Sequence, residues 1–462
     1  MLQNRERSIF WTLAVLSLPA YFMLLYGIER TAWPWVLGCF AWLFGVFWGQ
    51  IWITNKGSRK TSGAPIPTRD LFLLGIAIRL FASFALPELS DDYFRFVWDG
   101  RLWNHGINPF GSLPAAYMQD PVSASQLGLT QELFTGLNSP EYYTIYPPVL
   151  QFIFWLATAL FPQSIYGSVL VMKAFILLAE AFSLWLILKL LTRFSLPKWW
   201  LAFYALNPLV IVELTGNLHF EALMISFLLG SIWFLARKTT QGWWISVLLF
   251  ALAVATKLIP LIFLPLLIKR LGWWKAIGYG AVVMGITMLL FLPILDLETV
   301  ANLSQSIDLY FHRFEFNASL YYVVRWIGYE IYNRNIILLV GSWFALAAVI
   351  GILLFALLER KPSIQKLPAG MMWTLGIYFL FATIVHPWYA VMLVAGCSLS
   401  RWRWPLVFAT LVPLSYYTYR DTRYEENLYL TAIIYLATLG FMAWEFWQRR
   451  HNALKPSPIE QK

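Results

Sequence analysis

Two adjacent aspartates, Asp91 and Asp92, stand where an apolar segment gives way to a loop rich in acids. Residues 88–147 hold seven carboxylates (Glu88, Asp91, Asp92, Asp99, Asp120, Glu132 and Glu141) against two arginines, Arg95 and Arg101. Carboxylates gathered beside an apolar run point to chemistry at a membrane surface. Simpler roles compete with that reading. Ser90 suits the N-cap of a helix over 90–103, and acids in its first turn suit the positive end of the dipole. Arg95 can pair back to either aspartate or forward to Asp99 one turn on. Capping and pairing account for one acid better than for two side by side. Tyr93, Phe96, Val97 and Trp103 share one face, which predicts a helix lying in the interface.

Further polar residues interrupt apolar sequence downstream. Asn217-Leu218-His219-Phe220-Glu221 separates two apolar runs. It reads either as a polar turn with Glu221 at a helix start, or as a site in which His219 and carboxylates hold a metal, though the spacing is not specific. Lys257 lies at the end of an apolar run. A cation there is costly and marks a functional site by default, with snorkelling to the headgroups as the alternative. Arg325 and His386 pose the same choice. His386-Pro387-Trp388-Tyr389 is either part of a site or an interfacial aromatic belt. Arg79, Lys173, Glu180 and Lys189 read as packing or snorkelling residues. Cys39 and Cys397 each fall inside an apolar run, so neither a disulfide framework nor a cysteine metal site is expected.

The elements that must position these residues are membrane helices. Hydrophobic residues make up 59% of the chain and charged residues 13%, where a soluble domain carries roughly 25% charge. Apolar runs recur from end to end, and hydrocarbon demands that they be helical. The fold class is all-α: one polytopic membrane domain over 1–462 with 12–14 membrane segments, carrying an extracytoplasmic loop at 88–147. Segments fall near 9–27, 32–53, 70–87, 167–192, 199–216, 221–237, 243–258, 259–268, 276–294, 335–358, 370–385, 388–400, 404–418 and 427–447. The first is expected to be a retained helix, not a cleaved signal.

Basic loops set the orientation. Residues 55–69 carry Lys56, Arg59, Lys60 and Arg69 without an acid. Together with Arg237-Lys238, Lys269-Arg270, Arg360-Lys361, Arg401 with Arg403, and Arg449-Arg450, they place both termini in the cytoplasm and the acidic loop outside. The net charge of +10 follows from these loops. No basic patch of a nucleic-acid module is present, so no nucleic-acid partner is expected. The apolar run 149–161 is too short to cross and reads as re-entrant or interfacial. The run 258–267, interrupted by Pro260 and Pro265, reads as a half-span lining a cavity. With this topology the unusual polar residues all meet at the outer leaflet.

The string Ser90-Asp91-Asp92-Tyr93-Phe94-Arg95-Phe96-Val97-Trp98-Asp99-Gly100-Arg101, followed by Gly106-Ile107-Asn108-Pro109-Phe110, resembles the first outer loop of the GT-C class of membrane glycosyltransferases. The resemblance is greatest to bacterial polyprenyl-phosphate-mannose mannosyltransferases. Thr144-Ile145-Tyr146-Pro147-Pro148, Asn207-Pro208, Gly216-Asn217-Leu218-His219-Phe220-Glu221, Lys257 with Pro260, and His386-Pro387-Trp388-Tyr389 follow in the order of that family. The resemblance implies a polyprenyl-phosphate sugar as donor and Asp91 or Asp92 as general base, with Asp91 aligning better. By the same resemblance Glu221 is a second catalytic acid that helps shape the site, standing where the family more often has Asp. The first two helices are additional to the simplest layout of the family.

The residues suit that chemistry. A lipid phosphate is a good leaving group, so a carboxylate that takes the acceptor's proton is needed more than a strong acid. Cations must meet the developing phosphate charge; Lys257, His386, Arg325 and Arg313 are candidates. Arg95, Asp99, His219, Tyr146, Trp388 and Tyr389 are expected to shape the site or bind the acceptor. A single base without a covalent nucleophile implies inversion. The expected partners are the donor, a lipid-linked or glycan acceptor and membrane lipids, with no cofactor or metal. A transporter or flippase is the competing reading, but it would gather ionisable groups near the midplane in repeated halves. A lipid-linked glycan polymerase or ligase would carry its large outer loop later in the chain.

Overall fold

The computed structural model describes residues 2–60, 66–312 and 314–453. Helices dominate, and among the described residues the only β-type pairing is an isolated parallel bridge between Phe316 and Ile384. Among the described residues six helices are long and apolar enough to cross a membrane, and a seventh span forms if a bent pair counts as one. The bend is 52° and joins Lys198–Ala205 to Pro208–Gly216. Pro208 removes a backbone donor there, and the Asn207 side chain caps the second half by accepting from Leu209 and Val210. Other expected segments form shorter helices: Pro148–Leu160, Glu221–Leu235, Thr240–Thr256 and Pro387–Ser398.

The expected half-span near 258–267 is a 3-10 helix over Ile259–Leu267, with Pro260 in its first turn and Pro265 inside it. The segment expected at 70–87 is helical only over Thr68–Ala82. The chain then turns through Ser83–Ser90 toward the acidic helix. The middle of the basic loop at 55–69 lies outside the described residues.

Buried charge holds the first part of the chain together. Arg79 and Glu180 are fully buried and paired at 2.6 Å. Arg79 also donates to the carbonyls of Ala205 (2.7 Å) and Gly75 (3.0 Å), and the Tyr204 hydroxyl donates to Glu180. Three helical elements are thereby locked by one network whose polar atoms have nowhere else to turn. Lys173 is likewise buried and donates to the carbonyls of Ala82, Ala85 and Gly216. It pins the segment before Asp91 to the segment before His219. These residues pack, as the sequence implied. Glu180→Ala should destabilise the protein by about 3–5 kcal/mol, the usual cost of orphaning one member of a buried pair. A thermal midpoint in detergent unchanged from the native protein would show that the network contributes nothing.

The acidic helix spans Asp92–Asn104 and sits against Pro148–Leu160. Gly100 permits the approach: a Cβ there would lie 2.3 Å from the Phe154 carbonyl oxygen. Nine of its thirteen residues are buried, because short helices at Pro114–Tyr117, Pro121–Gln126 and Gln131–Thr135 belong to the loop that covers it. This corrects the expectation of a helix lying on the interface by one face. The loop is a folded cap whose interior is Phe96, Val97, Trp98 and Leu102.

Candidate active site

The N-cap of the acidic helix is Asp91 rather than Ser90, and the Asp91 side chain makes no capping bond. Its carboxylate instead forms an ion pair with Arg30, through Oδ2. Arg30 lies in the turn between the helices Leu2–Tyr26 and Trp33–Lys60. Asp92 accepts from Asn138 Nδ2 at 2.8 Å. Arg95 pairs with neither aspartate. It donates to Asp99 at 2.8 Å and to the Tyr142 carbonyl at 2.8 Å. Asp99 is fully buried and also accepts from Thr144 (2.5 Å) and Gln151 (3.0 Å). Arg95 and Asp99 thus fix the loop over the site.

Both aspartates line a cavity of about 540 Å³, in the size range of small-molecule sites. Arg95, Tyr146, Lys257, His386, Trp388 and Tyr389 line it too, as do Arg30, Glu315 and Tyr419. Residues separated by three hundred positions therefore line one cavity. A second cavity of about 380 Å³ adjoins it, lined by Met224, Leu258, Ile259, Leu303, Leu375, Phe379 and Met392 among others. Ile145, Tyr146, Lys257, Ser306 and Tyr389 line both. The first chamber carries Arg30, Asp91, Asp92, Arg95 and Glu315 and is the more polar of the two, its neighbour is lined mostly by apolar side chains, and Lys257 stands on the boundary.

Lys257 is the C-cap of Thr240–Thr256. Its ammonium pairs with Glu221 Oε1 at 2.5 Å, the Glu221 side chain being almost wholly buried. Glu221 opens the helix Glu221–Leu235, where the dipole favours an anion. Glu221 lines the apolar chamber, not the polar one. Its second oxygen, buried, has no hydrogen-bond partner.

Just before it the chain makes a π-helical turn over Ile211–Gly216, a distortion common at functional sites. Leu218 then adopts a left-handed backbone at φ 61°, uncommon for a bulky residue. The result brings His219 beside Glu213, with Nδ1 2.8 Å from the Glu213 carbonyl oxygen and 3.4 Å from its carboxylate. Tyr416 donates to the other Glu213 oxygen at 2.6 Å, and Asn217 to the same carboxylate at 3.2 Å. Asn217 also accepts from the backbone of Leu89 at 3.3 Å, two residues before Asp91. The two motifs are fastened to each other.

His219 lies outside the lining. It stacks on Trp388 at 4.1 Å, Trp388 stacks on His386 at 4.2 Å, and His386 meets Phe316 at 4.7 Å. The bridge of Phe316 to Ile384 holds this column in place through hydrogen bonds of 3.0 and 2.8 Å. Burial, with His219 and Lys257 nearby, lowers the pKa of His386. The ring is therefore neutral at pH 7 and can act as a hydrogen-bonding group, not as the cation expected from sequence. Arg325 is held by Glu315 and stacks on Tyr322 at 4.2 Å, so it reaches the cavity only through Glu315. Arg313 lies outside the described residues. Among the described residues there is no group of three or more His, Cys, Asp or Glu side chains placed to hold a metal ion.

Sequence reasoning gave no role to Arg30, Glu315, Glu213 or Asn138. A signal for Arg30 was present: it is a basic residue in the short turn between the first two helices. Nothing local marks the others, since each acquires its role from a partner far along the chain.

No curated protein matches the chain at significance. The sequence pattern described as alpha-(1->6)-mannopyranosyltransferase, N-terminal domain (MptA/B family), matches residues 21–272. That stretch carries Arg30, both aspartates, Glu221 and Lys257, and covers more than half of the 462 residues; the chain belongs to this mannosyltransferase family.

Proposed function

We propose that this mannosyltransferase takes its sugar from a polyprenyl-phosphate donor and passes it, with inversion, to a hydroxyl of a lipid-linked or glycan acceptor at the extracytoplasmic face. The observation that carries the reading is the pair of adjoining chambers with Lys257 between them. An apolar chamber suits a prenyl chain, a polar chamber suits a sugar and an acceptor, and the ammonium suits the phosphate that joins the two.

The chemistry follows from that division. Asp91 accepts the proton of the acceptor hydroxyl as the new bond to the anomeric carbon forms. The bond from that carbon to the phosphate oxygen breaks, and the departing lipid phosphate gains a negative charge. Lys257, oriented by Glu221, meets that charge. His386, Trp388, Tyr146 and Tyr389 provide flat faces and hydrogen-bonding groups for the sugars. Asp92 and Arg95 hold the loop that covers the acceptor. Attack and departure on opposite sides of the ring give inversion.

The test is donor consumption by purified protein in lipid, offered a panel of polyprenyl-phosphate sugars. Turnover of the mannosyl donor above the others is expected; turnover of a nucleotide sugar alone would overturn the reading. The side of the membrane is tested with a cysteine at Ser112, after Cys39 and Cys397 are replaced. It should react with an impermeant reagent from outside, and reaction from the cytoplasmic side alone would reverse the topology.

A further inference from the structure

The first two helices pack against each other, and the second also packs against the 3-10 helix Val412–Arg420; at their outer end they deliver a single guanidinium into the active cavity. Arg30 pairs with Oδ2 of Asp91 and lies over the Tyr419 ring at 5.2 Å. The Arg30 side chain is 20% exposed and that of Asp91 30%, so the pair is partly withdrawn from water and weakly screened compared with a surface pair.

From this geometry we infer that Arg30 is a positioning residue which keeps Asp91 ionised and turned into the cavity. The inference rests on Asp91 being the base. The ion pair occupies Oδ2 and leaves Oδ1 for the acceptor proton. An aspartate at an N-cap would otherwise fold back onto its own helix, yet here that capping bond is absent. Arg30 is what draws the carboxylate away. The N-terminal helical pair then has a catalytic reason to exist: without it the base would lack a counter-ion.

The surrounding charges agree. Burial raises the Asp91 pKa, Arg30 opposes that rise, and Asp92 adds to it. Other groups facing this corner are Glu88 from the preceding turn, Tyr93 from the same helix and Tyr419 from the 3-10 helix Val412–Arg420. Lys257 and Glu315 line the same cavity. Arg95 is committed to Asp99. Among the described residues Arg30 is the cation that contacts Asp91. The sign is fixed: Arg30 holds the folded-state pKa down, so its loss moves the pKa up. Activity would then fail at a higher pH as the solution is acidified.

The experiment is the pH profile of kcat/KM for Arg30→Gln and Arg30→Lys, with Asp91→Asn alongside. Arg30→Gln should move the acidic limb upward by about one unit, within the range an adjacent opposite charge commands. Most of the lost activity should return at high pH. Arg30→Lys should keep the limb near its native position even if its overall rate falls. A uniform loss across pH in Arg30→Gln, with no displacement of the limb, would overturn the inference and leave Arg30 a structural tie. If Arg30→Gln does not fold, a limb displaced upward by a full unit in Arg30→Lys would also overturn it, because charge would not be what matters. Near-native transfer by Asp91→Asn would mark failure of the base assignment itself. A dead Asp91→Asn with an undisplaced Arg30→Gln limb isolates the failure to Arg30.

Discussion

Asp91→Asn should lower transfer to the acceptor by at least about a hundredfold, the lower end of what a general base contributes. Its amide is nearly the size of the carboxylate, the side chain makes no capping bond, and it is partly open to the cavity. The fold therefore loses only its pair with Arg30, and donor binding should persist. That combination of retained binding with lost transfer separates a base from a structural acid. Asp92→Asn should be milder, because Asp92 accepts from Asn138 and can keep accepting through its amide oxygen. Near-native transfer by Asp91→Asn beside a dead Asp92→Asn would move the role to Asp92. Near-native transfer by both would put the base elsewhere.

Lys257→Met should weaken use of the donor by roughly 10–100-fold, which is about 1.5–3 kcal/mol for a lost hydrogen bond to a charged group. The structure adds a complication that the sequence did not reveal. Lys257 is paired with the almost wholly buried Glu221, so its removal orphans a carboxylate and should cost stability as well. The double variant Lys257→Met with Glu221→Gln removes that orphan. It should recover much of the thermal stability while donor use stays defective. If donor affinity and turnover in the double variant lie within about twofold of native, or roughly 0.4 kcal/mol, Lys257 serves Glu221 and not the phosphate.

Much of the architecture was legible because hydrocarbon leaves few choices. An apolar run must be a helix there, so helices at Ile165–Arg193 and Ile337–Leu358 were plain from composition. Charge pairs within reach of one helix were also legible, and Arg95 with Asp99 is one. The acidic loop misled in one respect. Its helix looked one-faced because Tyr93, Phe96 and Val97 share a side, but Trp98, Asp99 and Leu102 on other sides are buried too. Periodicity reports one buried face, and it cannot see a cap built from the three short helices that follow.

The candidate site was legible as a set of residues and illegible as a set of pairs. Lys257 stood out as a costly cation, yet Glu221 lies thirty-six positions away. Asp91 stood out as an acid, yet Arg30 comes from another helical pair altogether. The direction of His386 was also hidden, since its neutrality comes from burial in a column with His219 and Trp388. Each of these depends on tertiary contacts that no local pattern encodes.

With the lipid-linked donor proposed above, the two adjoining chambers have a kinetic consequence. A substrate whose tail fills the apolar one reaches Lys257 by travelling within the lipid film, in two dimensions, while an acceptor entering the polar one can come from water. Rates then follow the mole fraction of donor in the bilayer or micelle and are indifferent to its bulk molarity. Adding empty detergent dilutes the donor even when its concentration in the tube is unchanged. The spent carrier of such a donor would also stay in the film and compete for the same chamber until drawn off and recharged.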